Sequence, residues 1–401
     1  MNILFLSRWF PIPPDNGSKI RIHALLKYLS LHHRIDLVSF TEEPLQEEQV
    51  KELQQYCRTI RVFRYRNSYH GESGDGFYTY FSPVPRAYLH AYNPEVQATL
   101  DEFVEKNTYD VLIASQIDMA MYAQKYKNIA RIFEEVELTT IYQLVLRADT
   151  PLRRFRNQLT WWKYSNYVHR LLQTFDGCTV VSDLEERRTL SVAPDCKNIV
   201  VVPNGVEPAE SGDDQHLEYD PERLIYTGAV TYLANMDAVR YFIERVLPVI
   251  RRRKPGIKLW VTGKTAGVDL GQLPHQENVL FTGYVEDIRP LIRSSLACIV
   301  PLRIGGGTRL KILEALSHGT PVISTSKGIE GLDLKRGRDV LVGDSPEEFA
   351  AEVFRLIEQP GLRQQLISHG REVVDRYGWE QIVQRYELYL DRVVTQKMNR
   401  G

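Results

Sequence analysis

Short apolar runs, bounded by turn residues and separated by stretches with helical spacing, recur along the whole chain. In the first half, residues 2–6, 34–40, 111–114, 130–133, 178–181 and 199–202 read as strands. The last of these runs into Pro203-Asn204-Gly205, a strong turn signal. The rhythm then restarts, with strands expected over residues 224–227, 258–262, 279–281, 297–300 and 322–324 and helices between them. Alternating β and α elements predict parallel sheets. Two such series, split near residue 206, predict an α/β architecture of two Rossmann-like domains with parallel sheets facing a central cleft. Ligands of such sheets bind beyond the carboxyl ends of the strands.

Three segments depart from this rhythm. Residues 65–92 are rich in Tyr, Gly and Pro and read as a long irregular loop, a type that is often functional. Residues 152–172 predict a basic helix that carries Trp161 and Trp162. Residues 379–394 predict a further amphipathic helix.

Composition adds limits. A chain of 401 residues exceeds one ordinary core, which agrees with two domains. A net charge of −1 gives no global field for nucleic acid, which is excluded as a partner. Cys57, Cys178, Cys196 and Cys298 are scattered without a CxxC pair, so reduced, buried thiols are expected rather than a disulfide framework or a zinc site. The first apolar run meets Arg8 too early for a signal-peptide core or a membrane span, and no later stretch reaches spanning length. The expected location is cytoplasmic, with any membrane contact made from the side.

The densest chemistry lies in Gly305-Gly306-Gly307-Thr308-Arg309-Leu310-Lys311. Glycines let a backbone approach a ligand closely, and the helix opening behind them presents free N–H groups to an anion. With a helix over residues 308–318, Lys311, Glu314 and His318 share one polar face, while Ile312, Leu313 and Leu316 form the buried side. Arg309 and Lys311 suit phosphate oxygens, and the Glu314 carboxylate suits a ribose diol. A diphosphate carrying a polyol, such as a nucleotide sugar, fits this set better than a solvated helix with a Lys–Glu pair.

Other candidates sit at strand ends. Gly17 and Ser18, in the loop after the first strand, offer amide groups to a phosphate or a transferred sugar, with Lys19 and Arg21 adding charge; a plain capped βα loop reads the same way. Gly228 and Asn235 follow the first strand of the second half. Lys264 either reaches a phosphate or is an ordinary turn lysine. Tyr284 and Val285 offer a stacking ring and a backbone edge to a base. Glu134, Glu135 and Glu137 form an acidic strand end, with Glu137 the preferred catalytic or hydroxyl-orienting group and a helix-capping role the alternative. The helix with Arg153, Arg154, Arg156 and Lys163 either lies on an anionic membrane or sends its tryptophans into the core. No G-x-G-x-x-G fingerprint occurs, which argues against nicotinamide-dependent oxidoreduction.

Several of these segments resemble one family. PLRIGGGTRLKILEALSHGTPVISTSKGIEG, over residues 301–331, is similar to the donor-site segment of glycosyltransferase family 4. TVVSDLE (179–185) and VVPNGVE (201–207) are similar to its hinge-side signatures, and residues 227–250 to the first strand and helix of its donor domain. PPDNGSKIRIHALLKYL (13–29) resembles the subgroup of sugar transferases associated with exopolysaccharide gene systems. Tyr377-Gly378-Trp379-Glu380 resembles the bend where the last helix crosses back.

The resemblance implies a GT-B fold. Residues 1–205 with a returning helix over 379–401 would form the acceptor domain, and residues 206–378 the nucleotide-sugar donor domain. The implied activity is retaining, metal-independent transfer of a hexose-like sugar from a nucleoside diphosphate sugar to a glycan, lipid-linked or small-molecule acceptor. No cofactor is implied beyond the donor itself. Developing charge on the diphosphate would be met by a helix N-terminus and basic groups. Two positions depart from the family pattern. In its Glu-x7-Glu motif the second Glu falls on Glu314, a ribose ligand, but the first falls on Gly306. Where many members carry Gly-Arg and then Lys, this chain has Gly228-Ala229 and then Ala234-Asn235, so Arg309 and Lys311 are assigned the diphosphate charge. The strand end that often carries a catalytic histidine offers Glu134, Glu135 and Glu137 instead. A sugar-nucleotide epimerase on the same fold and a non-catalytic nucleotide-sugar-binding subunit are the competing readings.

Overall fold

A computed structural model describes every residue except 66–81, 83, 86–87, 89–91, 147–149, 209–218, 269, 273–276, 306–307 and 401. Most of the irregular segment 65–92 therefore lies outside the described residues, as do Gly306 and Gly307. The chain divides into two compact units, Met1–Asn204 with Trp379–Gly401, and Gly205–Gly378.

The first unit is built on seven parallel strands: β1 (Asn2–Ser7), β2 (Arg34–Thr41), β3 (Thr59–Arg64), β4 (Val111–Ser115), β5 (Ala130–Glu134), β6 (Gly177–Val180) and β7 (Ile199–Val201). They lie in the order β3-β2-β1-β4-β5-β6-β7. Successive side chains of a strand point to opposite faces, so β1 places Ile3 and Phe5 in one core and Leu4 and Leu6 in another. A strand covered on both sides carries the continuous apolar run seen in the sequence. Helices α1 (Gly17–Leu29), α2 (Glu47–Gln54), α3 (Pro94–Lys106), α4 (Ile117–Ala123), α5 (Thr139–Leu146), α6 (Pro151–Leu172) and α7 (Asp183–Val192) connect the strands.

The second unit has six parallel strands: β8 (Asp220–Thr227), β9 (Lys258–Thr262), β10 (Val279–Gly283), β11 (Ser295–Val300), β12 (Val322–Ser324) and β13 (Leu341–Val342). Their order is β10-β9-β8-β11-β12-β13. Helix α8 (Leu233–Tyr241) continues through a π turn into α9 (Leu247–Arg253), and α10 (Arg289–Arg293), α11 (Leu310–Ser317), α12 (Pro346–Glu358) and α13 (Leu362–Arg376) follow. Both sheets reverse direction beside their first strand, at β1/β4 and at β8/β11. A crevice opens at the carboxyl ends of the strands at such a reversal.

The last helix, α14 (Trp379–Met398), returns to the first unit and buries Trp379, Ile382, Tyr386, Tyr389 and Leu390 there. The Tyr389 hydroxyl donates to the Asn198 carbonyl at 2.6 Å, which ties the helix to the loop before β7. The fit is close enough that a Cβ on Gly177 would meet that hydroxyl at 2.2 Å.

Two expectations are corrected here. Arg21, expected to add charge to a ligand site, is fully buried. Its Nε donates to Glu134 at 2.6 Å, and its Nη1 donates to the carbonyls of Val202 (2.9 Å) and Pro203 (3.2 Å) and to Asn204 Oδ1 (3.0 Å). Thr179 donates to the other Glu134 oxygen. This network clamps α1, β5 and the turn after β7, so Arg21 and Glu134 are structural. The thiols are free, but Cys196 is only half-buried; its sulfur lies 3.4 Å from that of Cys178.

Breaking a buried pair leaves an uncompensated charge, at a cost of about 3–5 kcal/mol. Glu134→Gln should therefore lower the urea-unfolding stability of the first unit by roughly that amount. A loss below about 1 kcal/mol, the value of an exposed pair, would contradict the assignment.

Candidate functional site

In the second unit, β8 ends at Thr227 and the chain turns at Gly228, whose φ of +129° favours glycine. A Cβ on Gly228 would lie 3.0 Å from Asn235 Nδ2 and 3.1 Å from Lys311 Nζ. The bare turn thus adjoins the side chains of α8 and α11. The turn after β9 is equally close: a Cβ on Gly263 would meet the backbone of Gly228 and Ala229 at 2.6 Å.

Lys311 lies at the centre of this cluster. Its Nζ donates to the Tyr226 hydroxyl at 2.8 Å and to Asn235 Oδ1 at 3.0 Å, and sits 4.0 Å from the Tyr226 ring centroid. The Tyr226 hydroxyl also donates to Asn235 Oδ1, and Asn235 Nδ2 donates to the Ala229 carbonyl. Each partner is neutral, and Lys311 forms no ion pair among the described residues. An ammonium has three N–H groups, and two are used here. Burial, opposed by Cys298 and Glu314 and aided by Arg309, lowers the Lys311 pKa to about 7. The site is a charge with two neutral anchors and no counterion.

Glu314 stands three residues along α11, on the Lys311 face. Its carboxylate has no hydrogen-bond or ion-pair partner among the described residues, and burial raises its pKa while Lys311 opposes the rise. Two acceptor oxygens are thereby available to hydroxyl groups. His318, expected on the same face, is half-buried; burial, then Arg293 and Arg289, push its pKa down to about 4, so it is neutral.

Arg309 behaves differently from the expectation. The helix opens at Leu310, with Arg309 as its N-cap at φ −84° and ψ 71°, so the side chain leaves the helix axis. Only 7% of Arg309 is exposed. Its Nη2 donates to the carbonyls of Gly305 at 2.9 Å and Lys327 at 3.3 Å. The guanidinium ties the Gly305 carbonyl to that of Lys327, and the Thr308 carbonyl accepts from the Leu310 N–H at the approach to α11. Arg309 is a positioning residue here, and Lys311 is the cation that faces Gly228. Lys264 and Tyr284 follow β9 and β10 at the same sheet edge, both exposed, with Val285 half-buried beside them. The Gly263 N–H donates to the Gly283 carbonyl at 2.9 Å, which joins these two turns.

The first unit carries its own cluster at β1/β4. Asn16 caps α1 by accepting from the Lys19 N–H at 3.1 Å, so Gly17 and Ser18 form the first turn. Lys19 pairs with Asp15 at 3.0 Å. Gln116 follows β4 and Glu135 follows β5, with φ of 71° and 61°, both in the left-handed region that disfavours side chains. Gln116 Nε2 donates to Ser18 Oγ at 2.9 Å and to Glu135 Oε2 at 3.2 Å. Strained residues of this kind cluster at functional sites, which makes the joined pair at these adjacent strand ends a candidate position. Burial raises the Glu135 pKa to about 7, with Arg21 opposing and Glu134 and Glu137 adding. Glu137, the preferred carboxylate of the sequence, is exposed and accepts from Thr140, while its carbonyl accepts from Tyr164. It serves the start of α5, and Glu135 replaces it as the carboxylate of the cluster.

Three of the residues expected at the donor site, Gly228, Asn235 and Lys311, therefore meet directly. Tyr226 and Gln116 were missed, and Glu135 was named in the acidic strand end but placed behind Glu137. Tyr226 was hidden as an apolar strand residue, although its place two residues before Gly228 was a usable signal.

Residues 221–359 match the family described as glycosyl transferases group 1. Over 139 residues the chain is 22% identical to an uncharacterized 44.6 kDa protein in the cps region of Klebsiella pneumoniae, an alignment covering 33% of this chain and 36% of that protein. The chain thus spans about a third of that relative. Along nearly its whole length it is similar to HepE of Anabaena, solved with UDP and glucose, at a TM-score of 0.68 and 12% identity, covering 98% of this chain and 100% of that one. Sucrose-phosphate synthase of Thermosynechococcus elongatus gives 0.67 and 15%, covering 99% and 100%. TarM gives 0.68 and 11%, covering 97% and 98%. The fold is GT-B, with two Rossmann-like parallel-sheet units, and the likeness to glycosyltransferases read from the sequence holds through the group matched by the second unit.

The Lys311 environment makes a prediction about stability. Its folded pKa of about 7 lies below the 10.5 of a free lysine, so between those values the unfolded chain binds more protons. Lys311 therefore opposes folding most strongly at low pH, and its contribution to stability should improve as pH rises through that window. Comparing unfolding midpoints of wild type and Lys311→Met at increasing pH should show the variant's advantage shrinking. An advantage independent of pH would contradict the shifted pKa.

Proposed function

We propose that this chain is a retaining glycosyltransferase that moves a hexose-like sugar from a nucleoside diphosphate sugar to a glycan, lipid-linked or small-molecule acceptor in polysaccharide or glycoconjugate synthesis. The observation that carries the reading is the uncompensated Lys311 beside the bare Gly228 turn, with the unpartnered Glu314 one turn along the helix. A diphosphate supplies the missing counterion, and a ribose supplies hydroxyls to the carboxylate. The match to glycosyl transferases group 1 and the UDP and glucose bound by HepE support this reading.

In this mechanism the third Lys311 N–H donates to the diphosphate, and the ligand's charge returns the amine to its ammonium form. That charge offsets the negative charge developing on the leaving phosphate as the glycosidic bond breaks. The amides of the glycine loop, braced by Arg309, add neutral donors. Lys264 lies on the phosphate side, and Tyr284 and Val285 on the base side. Gly17 and Ser18 take the transferred sugar, and Glu135, balanced near neutrality, orients a hydroxyl. These roles require neither a metal nor an organic cofactor. A lipid-linked acceptor places the enzyme at the cytoplasmic face of a membrane.

A charge-assisted hydrogen bond contributes about 1.5–3 kcal/mol, or roughly ten- to hundredfold in affinity. Lys311→Met should weaken nucleoside diphosphate sugar binding by that factor, and Glu314→Ala should weaken it by about tenfold, both measured by calorimetry across a donor panel. With the donor that binds, NMR of the product should show retention at the anomeric carbon. Epimerised donor without released diphosphate, or binding unchanged in Lys311→Met, would overturn the proposal.

A further inference from the structure

The start of α6 is an anomaly of burial. Leu152 is 78% exposed, Phe155 67%, Leu159 44% and Trp162 61%. Their spacing of three, four and three residues places them along one face of the helix. Water-facing stripes of this kind are uncommon on soluble surfaces. Leu144 and Leu146 of α5 are exposed beside it. The two helices run antiparallel: Asn157 Nδ2 donates to the Leu144 carbonyl at 2.7 Å, and Trp161 meets Tyr142 edge-on at 5.1 Å. Trp161 thus turns inward, as expected of the core reading, while Trp162 turns out.

Charge identifies the occupant. Helix α6 contains Arg153, Arg154, Arg156, Lys163 and Arg170 and no Asp or Glu, in a chain whose net charge is −1. At 100° per residue, Arg156 and Lys163 border the apolar stripe, with Arg153 and Arg154 further round. A second copy packed on this face through a two-fold axis would set arginine against arginine. A bilayer with anionic headgroups accepts both parts: the aromatic and leucine side chains enter the interface, and the basic ones reach lipid phosphates. Among the described residues no helix is long and apolar enough to cross a membrane, so the contact lies on the surface.

We propose that the α5–α6 pair docks on an anionic phospholipid bilayer, with Leu152, Phe155, Leu159 and Trp162 inserted at headgroup level and Arg156 and Lys163, which border the stripe, against the phosphates. This deepens the membrane side of the transfer reading, but stands on separate residues. The test is co-sedimentation of the full chain with vesicles of phosphatidylcholine alone or mixed with phosphatidylglycerol, read together with tryptophan emission. Wild type should bind the mixed vesicles at low salt with a blue shift, release them at high salt, and ignore the neutral ones. F155E/W162E should bind at least tenfold more weakly while keeping its unfolding midpoint and its affinity for nucleoside diphosphate sugar. R156Q/K163Q should weaken binding without changing the fold.

No binding to the mixed vesicles, equal binding by F155E/W162E, or a wild-type dimer that this variant dissolves would each overturn the proposal. Failure here leaves the effects of Lys311→Met on donor binding as they are, so the two readings fail separately.

Discussion

The second unit is organised around a charge it does not neutralise. Lys311 is held by Tyr226 and Asn235, neither of which carries a charge, and burial weakens its hold on a proton. The surrounding features follow from the need to keep that amine at the end of β8. Gly228 takes a φ of +129° that disfavours any side chain, and a Cβ there would crowd Lys311 Nζ at 3.1 Å; Asn235 is fixed by the Ala229 carbonyl. Arg309 directs its own guanidinium to the backbone carbonyls of Gly305 and Lys327. A ligand that brings negative charge completes the arrangement.

The first unit uses the opposite device. Its buried cation, Arg21, is neutralised by Glu134 and donates through Nη1 to backbone oxygens from the turn after β7, although its Nη2 has no partner among the described residues. That clamp is rigid, and beside it Gln116 and Glu135 are held in strained backbone conformations. The pair of strained residues carries the polar group that titrates near neutrality, while the neighbouring carboxylate is consumed by structure. Two adjacent glutamates thus have separate roles, set by which one the arginine reaches.

Much of the fold could be read from the apolar rhythm, because both sheets are parallel and most strands are buried on two faces. The strands it missed lack that signature: β3 is a half-exposed edge strand interrupted by Arg61 and Arg64, and β13 has two residues. The Lys311 cluster was legible in part. Gly228, Asn235 and Lys311 each stood out locally, but their meeting depends on β8 lying beside β11. Side-chain direction was not legible. Arg309 follows from an N-cap backbone angle, and the choice of Glu135 over Glu137 from a positive φ, neither of which residue type alone determines. Trp161 and Trp162 are adjacent and chemically identical, and the α5 contact alone separates their roles.

The central claim, that the ligand's phosphates complete the charge of Lys311, is tested most directly by counting protons. Calorimetry of nucleoside diphosphate sugar binding at about pH 8, repeated in buffers of different ionisation enthalpy, gives the number taken up; this donor has no titrating phosphate of its own in that range. With Lys311 near 7 when free and raised by the bound diphosphate, uptake should approach one proton in wild type and vanish in Lys311→Met. Binding without proton uptake, or equal uptake in both proteins, would contradict the account.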